Sequence, residues 1–131
     1  ATKISFINQV ADLCESGGAD VQEVAKGMGV DKRIGSKFLN VGPGFGGSCL
    51  TKDIKASTAS ANTQNINFSI LDAINSYNPD DIINTKKIIN LKKYNKNSKL
   101  ALFVLSFKPN TDDVRDSTSL KIAQYLFDQG I

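Results

Sequence analysis

The chain has 131 residues, 40% of them hydrophobic and 22% charged, with a net charge of +3. That length buries one core, as one compact domain or parts of two, and the mixed charges lack the dense Lys/Arg cluster that would neutralise a run of phosphates, so nucleic acid is not an expected partner. No apolar run approaches bilayer-spanning length and the N-terminal stretch has no signal-peptide anatomy, so the reading is a soluble, cytoplasmic protein without a membrane partner.

From residue 1 to about residue 16, Ile4, Ile7, Ala11 and Cys14 form one helical row and Phe6, Val10 and Leu13 a neighbouring one, which predicts a helix buried over a wide arc. Gly17 and Gly18 stop it; Asp20 caps a second short helix through Val21, Val24 and Ala25, which Gly27 and Gly29 end. Between residues 31 and 48 the periodicity is lost, and five glycines with Pro43 predict a loop with exposed backbone N–H groups. Helix resumes at about Cys49, and residues 56–67 hold its end and a turn. A further helical pattern runs through Phe68, Leu71 and Ile74, meets Asn78-Pro79 and continues through Ile82, Ile83, Ile89 and Leu91. There Pro79 either kinks one long helix or opens a new one capped by Asn78. Residues 100–107 form a continuous apolar run of strand length, followed by a helix over residues 117–128 with Leu120, Ala123, Leu126 and Phe127 inward and Gly130 as its stop. That is half of a βαβ unit without a parallel partner strand, as in an internal piece of a longer protein.

The chain has no histidine, which removes Ser-His-Asp and Cys-His arrangements and the usual zinc sites; no metal is expected. Cys14 and Cys49 are far apart and suggest neither a disulfide framework nor a redox pair. The Gly42-Pro43-Gly44-Phe45-Gly46-Gly47 segment formally fits the G-x-G-x-x-G pattern, but no strand precedes it and no second strand or ribose-binding acid follows, so it is not read as a dinucleotide turn. A plain surface loop fits this composition; close approach of backbone to a ligand explains so many glycines better. With Ser48 as N-cap, Cys49 falls in the first turn of a helix whose N–H groups and dipole favour a negatively charged sulfur. Lys52 and Asp53, three and four residues on, return to the same face as a cation and a base. A buried, inert thiol is the alternative, and Cys14, on the apolar row of the first helix, fits it better. Arg33 and Lys37 fit either a solvated helix face or a site rim, and residues 108–115 are either an ordinary βα loop or a ligand-binding one at the carboxyl end of the strand.

Residues 33–40 (Arg-Ile-Gly-Ser-Lys-Phe-Leu-Asn) and 46–53 (Gly-Gly-Ser-Cys-Leu-Thr-Lys-Asp) resemble the signature of UDP-glucose 6-dehydrogenases, within the UDP-glucose/GDP-mannose dehydrogenase family. Residues 4–8, 13–15, 18–21 and 107–115 add to the likeness. The resemblance implies a mainly α fold: a helical central dimerisation domain over residues 1–96, then the first β-α unit of a Rossmann-like, UDP-sugar-binding C-terminal domain over residues 97–131. The N-terminal NAD-binding domain and the family's catalytic lysine and asparagine would lie outside the chain, leaving it inactive alone. It implies NAD-dependent oxidation of a sugar C6 alcohol to a carboxylate through thiohemiacetal and thioester stages on cysteine. Cys49 takes the nucleophile's position, Asp53 that of the aspartate assisting the catalytic water, and Lys52 stands beside them. Asn40, Val41, Gly42, Pro43, Gly44, Phe45 and Gly46 would line the nucleotide sugar, Phe107 and Lys108 match a substrate-binding pair, Arg33 an arginine reaching the partner's site, and Arg115 an NAD contact. The implied partners are a nucleotide sugar and a second copy of the chain, joined through the central helices. The Gly-Gly-Ser-Cys-Leu-x-Lys-Asp segment is shared with GDP-mannose dehydrogenases, and UDP-N-acetylhexosamine dehydrogenases are a weaker match. A non-catalytic helical dimerisation module is the competing reading.

Overall fold

A computed structural model describes residues 1–78, 99–103 and 105–130, and these are mainly α-helical. The helices are α1 (Thr2–Gly17), α2 (Val21–Val30), α3 (Ser48–Thr63), α4, whose described part is residues 69–78, and α5 (Thr118–Asp128). Pro79 and the helical pattern through Ile82 to Leu91 lie outside the described residues.

α1 stops as expected: Gly18 turns to φ 71°, and the N–H of Ala19 returns to the Cys14 carbonyl at 2.9 Å. The Asp20 carboxylate then caps α2 by accepting the Gln22 N–H at 2.8 Å. Contrary to expectation, α2 does not end at its glycines but runs on to Val30. A Cβ on Gly29 would stand 3.0 Å from the Ser36 backbone, so that glycine lets the following loop pack on the helix rather than stopping it. The chain turns instead at Asp31, whose carboxylate accepts the Arg33 N–H at 2.9 Å.

Ile7, Ala25 and Leu39 form one buried cluster, with Val10, Val21 and Met28 packed on it; Phe45, Ile54 and Ile74 form a second, flanked by Ile4 and Leu71. α1 serves both. Its buried arc is narrower than the two apolar rows predict: Ile7 and Cys14 are buried, but Leu13 is 71% and Phe6 48% exposed. Ser5 and Asn8 are buried in their place: Asn8 because this face of α1 meets loop backbone, which needs a polar partner, whereas the Ser5 hydroxyl has no hydrogen-bond partner among the described residues. The buried residues of α5 are likewise Thr118, Ile122 and Leu126, spaced four apart, while Phe127 is 77% exposed.

The strand expected over residues 100–107 is not visible. Residues 99–103 and 105 carry no regular structure, residues 106–110 form bends and a turn, and no strand occurs among the described residues. A strand's backbone groups need a neighbouring strand, and none occurs among the described residues to supply them. The helix half of that unit forms as α5. No helix among the described residues is long and apolar enough to cross a membrane.

Candidate active site

The glycine loop is held by two asparagines from two different helices. On α1, Asn8 donates through Nδ2 to the Gly42 carbonyl at 2.8 Å and accepts the Gly42 N–H at 3.0 Å. On α4, Asn78 accepts the Phe45 N–H at 2.7 Å and donates to the Phe45 carbonyl at 3.0 Å. The loop N–H groups are therefore not all displayed as expected: Gly44 donates to the Gly42 carbonyl and Gly47 to the Asp116 carbonyl. The Phe45 ring is buried in the second core cluster and anchors the loop from below. Sequence reasoning missed the loop contacts of both asparagines, reading Asn78 only as a cap ahead of Pro79, although Asn8 lies in the row of Ile4 and Ala11, where a polar side chain signals a buried backbone partner.

Gly46 and Gly47 let a second loop come close. A Cβ on Gly46 would strike the Asp116 carbonyl oxygen, and one on Gly47, at φ 89°, would stand 2.6 Å from the Phe107 ring. The loop carrying Phe107 is fastened in turn. Ser117, 2% exposed, donates its hydroxyl to the Leu105 carbonyl at 2.6 Å, and the Phe107 N–H reaches the Asp113 carbonyl at 3.1 Å. Lys108 lies 5.2 Å from the centre of the Phe107 ring, within cation–π range.

Between these loops opens a cleft of about 570 Å³. It brings together Asn40, Gly42, Gly44, Phe107 and Lys108 with Ile4, Lys37, Phe38 and Pro109. Among the described residues that line it, Arg33, Cys49, Lys52, Asp53 and Arg115 do not appear. Val41 is exposed and Pro43 half-buried on the same loop. Phe38 holds a left-handed φ of 66°, unusual for a bulky residue, at the cleft wall.

Cys49 is exposed and stands second in α3. Ser48 is not its N-cap: that place belongs to Gly47, where the Phe107 ring leaves no room for a side chain, and Ser48 is already helical. Lys52 and Asp53 follow on the same face and are also exposed. Arg115 forks onto Asp113 with contacts of 3.0, 3.2 and 2.7 Å, which holds the Asp113 carboxyl down at about 2. The Arg115 guanidinium is raised mainly by this hydrogen bond. Asp31 and Arg33 repeat the same Asp-x-Arg fork, the closest contact being 2.6 Å, and the Asp31 carboxyl is lowered by it. Arg33 is exposed, and its turn is tied to α1 by Lys3, whose ammonium reaches the carbonyls of Ile34 and Gly35. Cys14 is buried, as its place in α1 predicts.

Residues 1–80, more than half of the chain, match a family model described as the central domain of the UDP-glucose/GDP-mannose dehydrogenase family. The chain belongs to this family. Within the UDP-glucose/GDP-mannose dehydrogenase family it is 46% identical over 133 residues to a UDP-glucose 6-dehydrogenase of Rhizobium meliloti, covering 99% of this chain and 30% of that protein. A UDP-glucose 6-dehydrogenase of Bacillus subtilis is 45% identical over 127 residues, covering 96% of this chain and 29% of that protein. The chain thus spans about 30% of the length of these relatives. The structure of a UDP-glucose dehydrogenase from Pyrobaculum islandicum superposes with a TM-score of 0.91 at 33% identity, covering 98% of this chain and 30% of that one. A GDP-mannose dehydrogenase from Pseudomonas aeruginosa gives 0.68 at 28% identity, with coverage of 98% and 29%.

Proposed function

We propose that the chain supplies the nucleotide-sugar cleft and the nucleophilic thiol of an NAD-dependent UDP-glucose 6-dehydrogenase. The observation that carries this reading is the exposed Cys49 at the start of α3, directly after a braced glycine loop that forms one wall of a cation-bearing cleft. UDP-glucose is preferred over GDP-mannose because the relatives at 46% and 45% identity carry that substrate in their names. The domain division at residues 96 and 97, the homodimer through the central helices, in which Arg33 reaches the partner's site, and a cytoplasmic location form part of the same proposal.

In this mechanism the loop from Asn40 to Gly46, with Phe107 and Lys108, holds the sugar nucleotide, Lys108 offering positive charge to the diphosphate. The Cys49 sulfur adds to the C6 aldehyde as a thiohemiacetal and carries the same carbon as a thioester after the second oxidation. Lys52 lends positive charge beside the oxyanion, and Asp53 orients and deprotonates the water that releases the carboxylate and frees the thiol. NAD, when bound, accepts one hydride in each of the two oxidations. Of the described residues, Arg115 fits it, as an exposed guanidinium on the second loop able to meet a cofactor phosphate. The glycine loop does not fit as a pyrophosphate cradle, because the N–H groups of Gly42, Gly44, Phe45 and Gly47 are already engaged.

NADH formation by the full-length protein, assayed with UDP-glucose, GDP-mannose and UDP-N-acetylglucosamine, tests the proposal. UDP-glucose is expected to turn over and Cys49→Ser to abolish sustained release of the carboxylate. Preference for GDP-mannose would change the sugar; absence of turnover with all three, in folded protein that binds NAD, would leave a non-catalytic assembly module.

A further inference from the structure

We infer that Asn8 and Asn78 are positioning residues for the nucleotide-sugar site: each clasps one end of the Gly42–Phe45 segment and fixes its shape without touching the sugar. The inference rests on the proposed function for its substrate and on the geometry alone for the clasp. Each carboxamide makes a reciprocal pair with the N–H and C=O of one loop residue, as a neighbouring β-strand would. Only an amide offers a donor and an acceptor at that spacing; an ionised carboxylate accepts the N–H but faces the carbonyl with a second lone pair. The partners lie 34 and 33 residues apart in sequence, so the clasp is imposed by α1 and α4 and not by local turn chemistry.

The segment so held includes Gly42 and Gly44, which line the cleft, and ends on Phe45, which is sunk in the core. Asn8 is 4% exposed, and an unmade hydrogen bond at such a place is costly, which keeps the clasp closed. Gly44 and Asn78 are matched sterically: a Cβ at Gly44 would meet the Asn78 side-chain oxygen at 2.6 Å. The neighbouring Tyr77 hydroxyl donates to Asp12 of α1 at 2.7 Å, one turn beyond Asn8, so the two helices carrying the clasp are themselves tied.

Asn78→Asp in the full-length protein removes the donor while keeping the shape. KM for UDP-glucose is expected to rise about tenfold or more with a smaller change in kcat, the pattern of lost ground-state positioning. Amide hydrogen exchange at Gly42, Gly44 and Phe45 should quicken by a similar factor. Asp20→Ala, which removes the cap of α2 and no part of the clasp, should lower the melting temperature and leave both readouts alone; Asn8→Asp extends the test to the buried clasp wherever that variant folds. Unchanged KM and unchanged exchange in folded Asn78→Asp would overturn the inference, as would equal effects from Asp20→Ala. Should the wild type oxidise no nucleotide sugar, the proposed function fails, while faster loop exchange would still uphold the clasp and unchanged exchange would still sink it.

Discussion

At Gly47 the backbone sits at φ 89° and a methyl group would stand 2.6 Å from the Phe107 ring, so strain and collision coincide. Gly47→Ala is expected to destabilise the fold by about 2 kcal/mol or more, read as a lower urea midpoint with an unchanged m-value. The Asp113–Arg115 fork makes a separate prediction. The Asp113 carboxyl lies at about 2, below its ordinary 3.8, so its contribution is present above the ordinary carboxylate range and is lost as pH falls through about 2. Arg115→Gln should return the carboxyl toward its ordinary value, visible as a shifted side-chain carboxyl titration by NMR. Arg115 is exposed and Asp113 half-buried, so water still reaches and screens the pair, and the expected readout is titration rather than stability. At working pH the fork's use is geometric: it fixes the guanidinium within its own loop.

At the scale of elements, caps and stops that depend on one local residue were legible, and contacts between distant segments were not. Asp20 before Val21 and Gly18 after α1 act as their types dictate, and Asp20→Ala should cost about 1 kcal/mol, measured by thermal or urea unfolding. Gly29 and Ser48 misled, because what decides them comes from elsewhere: the Ser36 backbone against α2, and the Phe107 ring against Gly47. The site shows the same division. The glycine loop, the exposed thiol after it and the cleft role of Asn40, Phe107 and Lys108 follow from composition, spacing and resemblance. Asn8 and Asn78 escaped because a single asparagine inside a helical pattern carries no period, and its partner lies more than thirty residues away.

For the whole molecule, the apolar run over residues 100–107 is the feature least reconciled with its surroundings. Leu100, Leu102 and Leu105 are each more than a third exposed and Phe103 is 84% exposed, although such a run is suited to a strand covered on both faces. Hydrophobic composition alone does not make a strand; the ladder does, and among the described residues no second strand offers one. If residues 97–131 open a Rossmann-like domain, as proposed, the missing partners belong to sequence beyond this span. Amide exchange compares the two situations directly. In the 131-residue chain the N–H groups of Ala101, Leu102 and Phe103 should exchange near the rate of an open chain, whereas in the full-length protein they should slow by about a thousandfold or more as a ladder forms. Equal, fast exchange in both would mean that this run never enters a sheet. The domain boundary would then have to be redrawn around α5, which buries Ile122 and Leu126.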